Sequence, residues 1–173
     1  MAEIELVQGD ITKIKTDAIV NETTAKVVIG GGSLDAAIHA AAGPLLLKEV
    51  RDIMEEKKTI ALGECIVTDA YKLPCKKVMH TAGPVYMGGG WQEAENLAGC
   101  YRSSILAADA AGLESIAFPN LCTGAQTFPK KAAAEIAIQT VRHALGETRH
   151  INKVIFVCFE AENYAVYTEL LRL

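Results

Sequence analysis

The sequence lacks the features typical of secreted, membrane-spanning and zinc-stabilised proteins. Its five cysteines are odd in number, spread apart and without a Cys-x-x-Cys pair, so we expect neither a disulfide framework nor a structural zinc site. Free thiols are typical of a reducing compartment, which favours a cytoplasmic protein. No apolar run has membrane-spanning length, and the start lacks a basic region followed by an apolar run, so we expect no membrane segment and no signal peptide.

Basic charge is also scarce. The chain has 17 Lys and Arg against 21 Asp and Glu, a formal net charge of −4, which argues against a broad basic surface for nucleic acid. A small anionic ligand remains compatible with this charge, because it needs only a few local backbone N–H groups. With 173 residues, half of them hydrophobic, the chain is predicted to form a single domain over 1–173.

Short apolar segments alternate with segments of helical periodicity. This alternation predicts a three-layer α/β/α sandwich with a mixed, mostly parallel central sheet. The predicted strands are 4–7, 18–21, 64–69, 77–81, 115–119 and 154–159, and the predicted helices begin near residues 35, 45, 92, 129 and 162.

One stretch, Gly30-Gly31-Gly32-Ser33-Leu34-Asp35, joins three glycines to a predicted helix start. Glycine lets the backbone turn its N–H groups toward one anion, and a helix N-terminus adds a favourable dipole, so the stretch predicts a phosphate site. It matches neither the P-loop nor the dinucleotide fingerprint. Taken alone, Asp35 is interpreted as a helix-capping acid more readily than as a catalytic one.

Polar or glycine-rich segments follow the predicted strands, at 9–10, from 21 onward through the glycine stretch, at 81–84, at 120–125 and at 159–160. Because such segments meet at one edge of an α/β sheet, they predict a single cleft. Two of them, the glycine stretch and the segment 122–125, can offer backbone N–H groups from opposite sides. This arrangement favours a ligand with two linked phosphates.

The motifs, in this order and spacing, resemble the macrodomain family of ADP-ribose-binding modules along nearly the whole chain. The matching stretches are 7–12, 17–21, 30–39, 41–44, 80–85, 117–119, 123–124 and 159–164. The resemblance implies that Asp10 accepts a hydrogen bond from the adenine amino group, with the N–H of Ile11 beside it. It also implies that Phe159 packs on the adenine face. An ordinary turn acid is the alternative interpretation of Asp10.

The resemblance further implies two walls for the diphosphate and the distal ribose. One wall comprises Gly31, Gly32, Ser33 and Leu34, and the other comprises Cys122, Thr123, Gly124, Ala125 and Gln126. Asn21 is implied to contact the distal ribose. In the hydrolytic branch of the family, the residue matching Asp35 is the acid near the anomeric carbon, so the predicted catalytic set is Asp35, Asn21 and Thr24.

Three positions depart from the family pattern, all in the distal half of the site. Thr24 stands where the family has a second Asn, in a segment one residue longer than usual. Gln126 replaces the aromatic residue that walls the distal ribose, and Thr127 replaces a glycine. A threonine hydroxyl cannot present the donor and acceptor pair of a carboxamide. Cys122 is interpreted as a small buried residue rather than a nucleophile, because no base is fixed beside it.

The expected function is therefore ADP-ribose binding with hydrolysis of ADP-ribose esters, either O-acetyl-ADP-ribose or ADP-ribosylated acidic side chains. A non-catalytic reader is the alternative favoured by the departures, and an ADP-ribose 1″-phosphate phosphatase is a third possibility within the fold. ADP-ribose derivatives and ADP-ribosylated proteins are the expected partners, without a cofactor or metal. His39 and His80 are interpreted as packing or hydrogen-bonding residues, because no ligand cluster accompanies them.

Overall fold

The fold is a β-sheet between two layers of helices. The computed structural model describes residues 1–27 and 32–173. Its strands are β1 (Glu3–Gln8), β2 (Ala18–Thr23), β3 (Cys65–Asp69), β4 (Lys77–Ala82), β5 (Ser115–Phe118) and β6 (Lys153–Cys158). Its helices are α1 (Ser33–Ala42), α2 (Pro44–Lys57), α3 (Glu93–Ala110), α4 (Lys130–Leu145) and α5 (Ala161–Leu171), with a short 3-10 helix at Ile11–Lys13.

The strands form one sheet in the order β1-β6-β5-β2-β4-β3. All neighbours are parallel except β3, which runs antiparallel to β4. The predicted mixed, mostly parallel sheet is therefore confirmed. In the register of β2 with β4, Asn21 lies opposite His80. Among the described residues, no helix is both long and apolar enough to cross a membrane.

Side-chain alternation along β2 divides the interior into two cores. Ala18 and Val20 pack with residues of α3, α4 and α5 on one face of the sheet. Ile19 packs with residues of α1 and α2 on the other face. At the carboxyl end of the strand, this alternation turns Asn21 toward α1 and Glu22 toward the opposite layer.

Aromatic packing supports the segment that follows β5. Tyr101 of α3 lies 5.0 Å from Phe118 between ring centroids, and Phe118 lies 6.4 Å from Phe156. Burial raises the pKa of Tyr101 well above its usual value, so the phenol stays protonated. Its oxygen accepts a hydrogen bond of 3.4 Å from the N–H of Leu121. The packed rings thus fix the start of a loop that lines the site.

Candidate functional site

One cleft opens where β1, β2, β5 and β6 end. Its volume of about 690 Å³ is within the range of small-molecule sites. The segments that meet there are 9–12 after β1, 22–24 at the end of β2, 119–120 after β5 and 159–160 after β6. Four of the five predicted segments therefore meet at this cleft, whereas the segment 81–84 at the end of β4 does not line it and only the next residue, Val85, does.

Asp35 is held at the base of this cleft by a side chain of β2. The carboxylate is buried with 4% exposure, and its Oδ1 accepts a 2.7 Å hydrogen bond from Nδ2 of Asn21. His39, one turn further along α1, has its Nε2 3.5 Å from the same oxygen. The N-cap of α1 is Gly32, so Asp35 is not the N-cap residue, but it lies in the first turn of the helix as an acid favoured by the dipole would. Asp35 also belongs to a buried polar network.

His80 extends that network across the sheet. Its Nδ1 lies 3.1 Å from Nδ2 of Asn21, and its Nε2 lies 2.9 Å from Oγ1 of Thr68 on β3. Burial, together with the nearby His39, lowers the pKa of His80 to about 3, although Asp35 acts in the opposite direction. A neutral ring that accepts from the Asn21 amide at Nδ1 must donate its Nε2 proton to Thr68.

The Asp35 network comprises five residues, Asn21, Asp35, His39, Thr68 and His80. Asn21 is fully buried, and its described contacts with Asp35 and His80 show that it positions Asp35, while its contact with the distal ribose stays a prediction. His39 and His80 hydrogen-bond or pair within the network, as their interpretation from sequence requires.

Three buried polar atoms beside Asp35 have no hydrogen-bond partner among the described residues. They are Oδ1 of Asn21, Oγ1 of Thr23 and Nδ1 of His39. Thr23 and Asp35 both line the cleft. Buried polar atoms are nearly always satisfied by protein, solvent or ligand, and of these three residues only Thr23 lines the cleft, so its hydroxyl is suited to binding water or a ligand hydroxyl there.

The opposite end of the cleft has an acid and an exposed aromatic ring. Oδ1 of Asp10 accepts hydrogen bonds from the N–H and Oγ1 of Thr12, at 2.9 and 2.7 Å. These two hydrogen bonds lower the pKa of Asp10, so the group is ionised at neutral pH. Asp10 thus caps the 3-10 helix, as its alternative interpretation predicts, and it also lines the cleft beside Ile11. Phe159 is 78% exposed and lines the same end, so its ring is accessible to a flat base.

Two backbone segments form the walls between these ends. Gly32, Ser33 and Leu34 line one wall at the start of α1, while the expected contact of Gly31 lies outside the described residues. Thr123, Gly124, Ala125 and Gln126 line the other wall, and Thr24 is exposed at the edge. Cys122 is fully buried and does not line the cleft, as its interpretation as a small buried residue predicts. Burial, and then the nearby Glu22, raise the pKa of its thiol far above the usual value, so the nucleophilic thiolate does not form at neutral pH.

Glu22 lines the cleft as well, and the sequence-based interpretation missed it. Its Oε1 accepts a 2.8 Å hydrogen bond from the N–H of Cys122. With its side-chain amide turned so that the nitrogen faces Glu22, Gln126 donates to Oε1 at 2.7 Å and lies 3.3 Å from Oε2. In the reverse orientation that nitrogen would be 3.4 Å from the carbonyl of Gly83, and the amide oxygen would face the carboxylate. The signal available in the sequence was a charged residue on the inward, otherwise apolar face of β2.

Comparisons with known proteins agree with this geometry. Residues 20–137 match the family model of the Macro domain. The chain is 41% identical over 171 residues to a protein of Pantoea vagans (strain C9-1) named O-acetyl-ADP-ribose deacetylase 2, covering 99% of each chain. The chain therefore belongs to the Macro domain family.

Solved structures of the same family have closely similar folds. The Oceanobacillus iheyensis macrodomain with ADP is 37% identical, with a TM-score of 0.91 over 98% of this chain and 90% of that one. The Trypanosoma brucei macrodomain in complex with ADP-ribose is 36% identical, with a TM-score of 0.87 over 97% of this chain and 68% of that one. The family resemblance predicted from the sequence motifs is thus confirmed.

Proposed function

We propose that this protein binds ADP-ribose and hydrolyses ADP-ribose esters. The substrate class comprises O-acetyl-ADP-ribose and proteins ADP-ribosylated on acidic side chains. The observation that carries the proposal is the buried carboxylate of Asp35, fixed by Asn21 at 2.7 Å and lining the cleft. The relative named O-acetyl-ADP-ribose deacetylase 2 and the ADP-ribose complex of the Trypanosoma macrodomain support it.

The cleft can accommodate the ligand in one direction. The adenine lies at the end with Phe159, where the Asp10 carboxylate can accept from its amino group. The diphosphate lies between the start of α1 and the segment 123–125, where a helix dipole and backbone N–H groups favour negative charge. The distal ribose then lies beside Asp35.

Asp35 supports hydrolysis by holding water and accepting its proton. Water adds its oxygen to one carbon of the ester link, and the bond from that carbon to the bridging oxygen breaks. One water proton passes through the Asp35 carboxylate to the leaving oxygen, and the other stays with the added oxygen. The products are ADP-ribose and the free acid, so the balance needs no further reactant. Because His80 is neutral, it places no positive charge beside the Asp35 carboxylate. Within the Asp35 network, the other ring near that carboxylate is His39, whose Nε2 lies 3.5 Å from Oδ1.

A reader that binds ADP-ribose without cleaving it is the second candidate. It is favoured by Thr24, which lines the cleft where the family has a carboxamide. The hydroxyl of Thr24 is shorter and can rotate, and a misplacement of about 1 Å can lower a rate about a hundredfold. Thr24→Asn is expected to raise hydrolysis. If wild type and Thr24→Asn both bind ADP-ribose and both lack turnover, the protein is a reader.

The proposal is tested with the wild-type protein in two assays. Calorimetry is expected to show ADP-ribose binding tighter than AMP binding, because AMP lacks the second phosphate and the distal ribose. Turnover of O-acetyl-ADP-ribose and of an ADP-ribosylated protein, measured side by side, is expected to be slow but above the uncatalysed rate. Absence of ADP-ribose binding at millimolar ligand would overturn both candidate functions.

A further inference from the structure

The segment from Cys122 to Gln126, called the 122–126 loop, is attached at both ends to one carboxylate. Oε1 of Glu22 accepts the N–H of Cys122 at 2.8 Å and the amide of Gln126 at 2.7 Å. Glu22 is on β2, an internal strand of the sheet, and its backbone is paired there with Thr81 of β4, while the pairing with β5 ends at Ile19. The carboxylate therefore ties the beginning and the end of the loop to the rigid centre of the fold.

The loop needs such attachment because its backbone is strained. Cys122 has φ of +66°, and Thr127, just after the loop, has φ of +60°. Residues other than glycine rarely adopt this region, and each such residue is kept there by surrounding contacts. Three backbone hydrogen bonds also hold the turn, from Phe128 to Cys122, from Thr127 to Gly124 and from Tyr86 to Gln126. The contacts with the side chain of Glu22 are additional to these three backbone hydrogen bonds.

The space around Glu22 is arranged for these contacts. A Cβ on Gly83 would lie 2.3 Å from Sγ of Cys122 and 3.5 Å from Oε1 of Glu22, so glycine is required for the loop to approach β4. Burial raises the pKa of Glu22, while the contact with Cys122 lowers it. No cation contacts Glu22 among the described residues, and its hydrogen-bond donors are the loop itself.

We propose that Glu22 is a positioning residue that holds the 122–126 loop in the shape that binds the ligand's diphosphate. This inference rests on the proposed function, because it takes the backbone N–H groups of residues 123–125 as diphosphate donors. It treats Glu22 and Gln126 as one hydrogen-bonded unit. Gln126, which departs from the usual loop, is then the residue through which Glu22 holds the end of the loop.

Calorimetry with ADP and AMP on wild type, Glu22→Ala and Glu22→Gln tests this role. Glu22→Ala is expected to weaken ADP binding about tenfold, the effect of losing a hydrogen bond to a charged group, while AMP binding changes much less. Glu22→Gln is expected to restore ADP affinity, because its carboxamide oxygen can still accept from Cys122. Thermal unfolding of each variant reports on folding separately.

The outcomes separate this inference from the proposed function. If Glu22→Ala keeps wild-type ADP affinity, loses ADP and AMP affinity equally, or is not rescued by Glu22→Gln, the positioning role is overturned. If wild type binds neither nucleotide, the proposed function fails and the inference fails with it. Should Glu22→Ala not fold, Gln126→Glu provides the second variant. It sets two carboxylates against each other at the loop end and is expected to weaken ADP binding selectively, whereas unchanged ADP binding would contradict the role.

Discussion

The two sides of β2 carry polar clusters of different character at the carboxyl end of the strand. On one side, Asn21 hydrogen-bonds to buried Asp35 and to His80, whose neighbours are themselves fixed by sheet pairing. On the other side, half-buried Glu22 hydrogen-bonds to two points of a strained loop. The first arrangement fixes one carboxylate for chemistry. The second holds the backbone of a loop in the shape that binds the ligand. The two arrangements start from consecutive residues of β2, Asn21 and Glu22.

After the loss of Asp35 itself, the largest effect is expected from Asn21→Ala, which removes the donor to Asp35. Hydrolysis should fall about a hundredfold, because the carboxylate loses its fixed position. The free energy of unfolding should fall by about 1–3 kcal/mol, since His80 keeps an unpaired buried nitrogen. Thr68→Val is the matched control, because it breaks the network at its far end, two side chains from Asp35. Equal losses of activity in both variants would contradict a local positioning role for Asn21.

Asp10→Asn tests the adenine end with the fold preserved. The carboxamide oxygen can still accept from Thr12, but the amide nitrogen would then face the adenine amino group. ADP-ribose affinity should fall by about 1–3 kcal/mol in calorimetry, with unchanged thermal stability. Thr12→Val serves as the control, because it removes the hydrogen bond from Oγ1 of Thr12 to Asp10 but leaves the carboxylate of Asp10 in place. If Thr12→Val weakens ADP-ribose binding and Asp10→Asn does not, Asp10 is only a turn acid and does not contact the ligand.

Acid should destabilise the Asp35 side of β2. The pKa of His80 is about 3 in the folded state against 6.5 for an ordinary histidine. The unfolded chain therefore binds a proton that the folded chain excludes, and the free energy of unfolding should decrease as pH falls from 6.5 toward 3. Urea unfolding between these pH values measures the slope. His80→Gln should have a shallower slope, and an identical slope in both proteins would contradict a neutral buried His80.

The smallest effect is expected from Cys122→Ala. The thiol is fully buried with a raised pKa, and although it also contacts Glu22, the backbone N–H that donates to the carboxylate at 2.8 Å is kept in this variant. Hydrolysis and ADP binding should both stay near wild type when assayed together. Loss of turnover with retained folding and ADP binding would indicate a nucleophilic role for Cys122.

The sequence predicted the strands, the helices and the cleft because each depends on local patterns. Alternating apolar runs and glycine-bounded ends placed the described strands within a few residues of their observed bounds. Phe159 is the exception, since it was predicted inside the last strand and lies just after β6. The Asp35 network could be predicted only in part, because Asn21 meets His80 across 59 residues of chain.

Glu22 could not be predicted in its role, because its partners are distant in sequence. Cys122 is 100 residues away along the chain, and the contact exists only after β2 and β5 pair side by side. Departures such as Gln126 and Thr127 were visible one at a time. The contact of Gln126 with the Glu22 carboxylate needs the three-dimensional arrangement, which periodicity and motif spacing do not contain.

The most direct test of the central claim measures both activities of Asp35→Ala. The carboxylate at the end of the cleft should be required for cleavage but not for adenine and diphosphate contacts. Turnover of O-acetyl-ADP-ribose should therefore fall by about a hundredfold or more, while calorimetry still shows ADP-ribose binding. Turnover at the wild-type rate in Asp35→Ala would contradict the account.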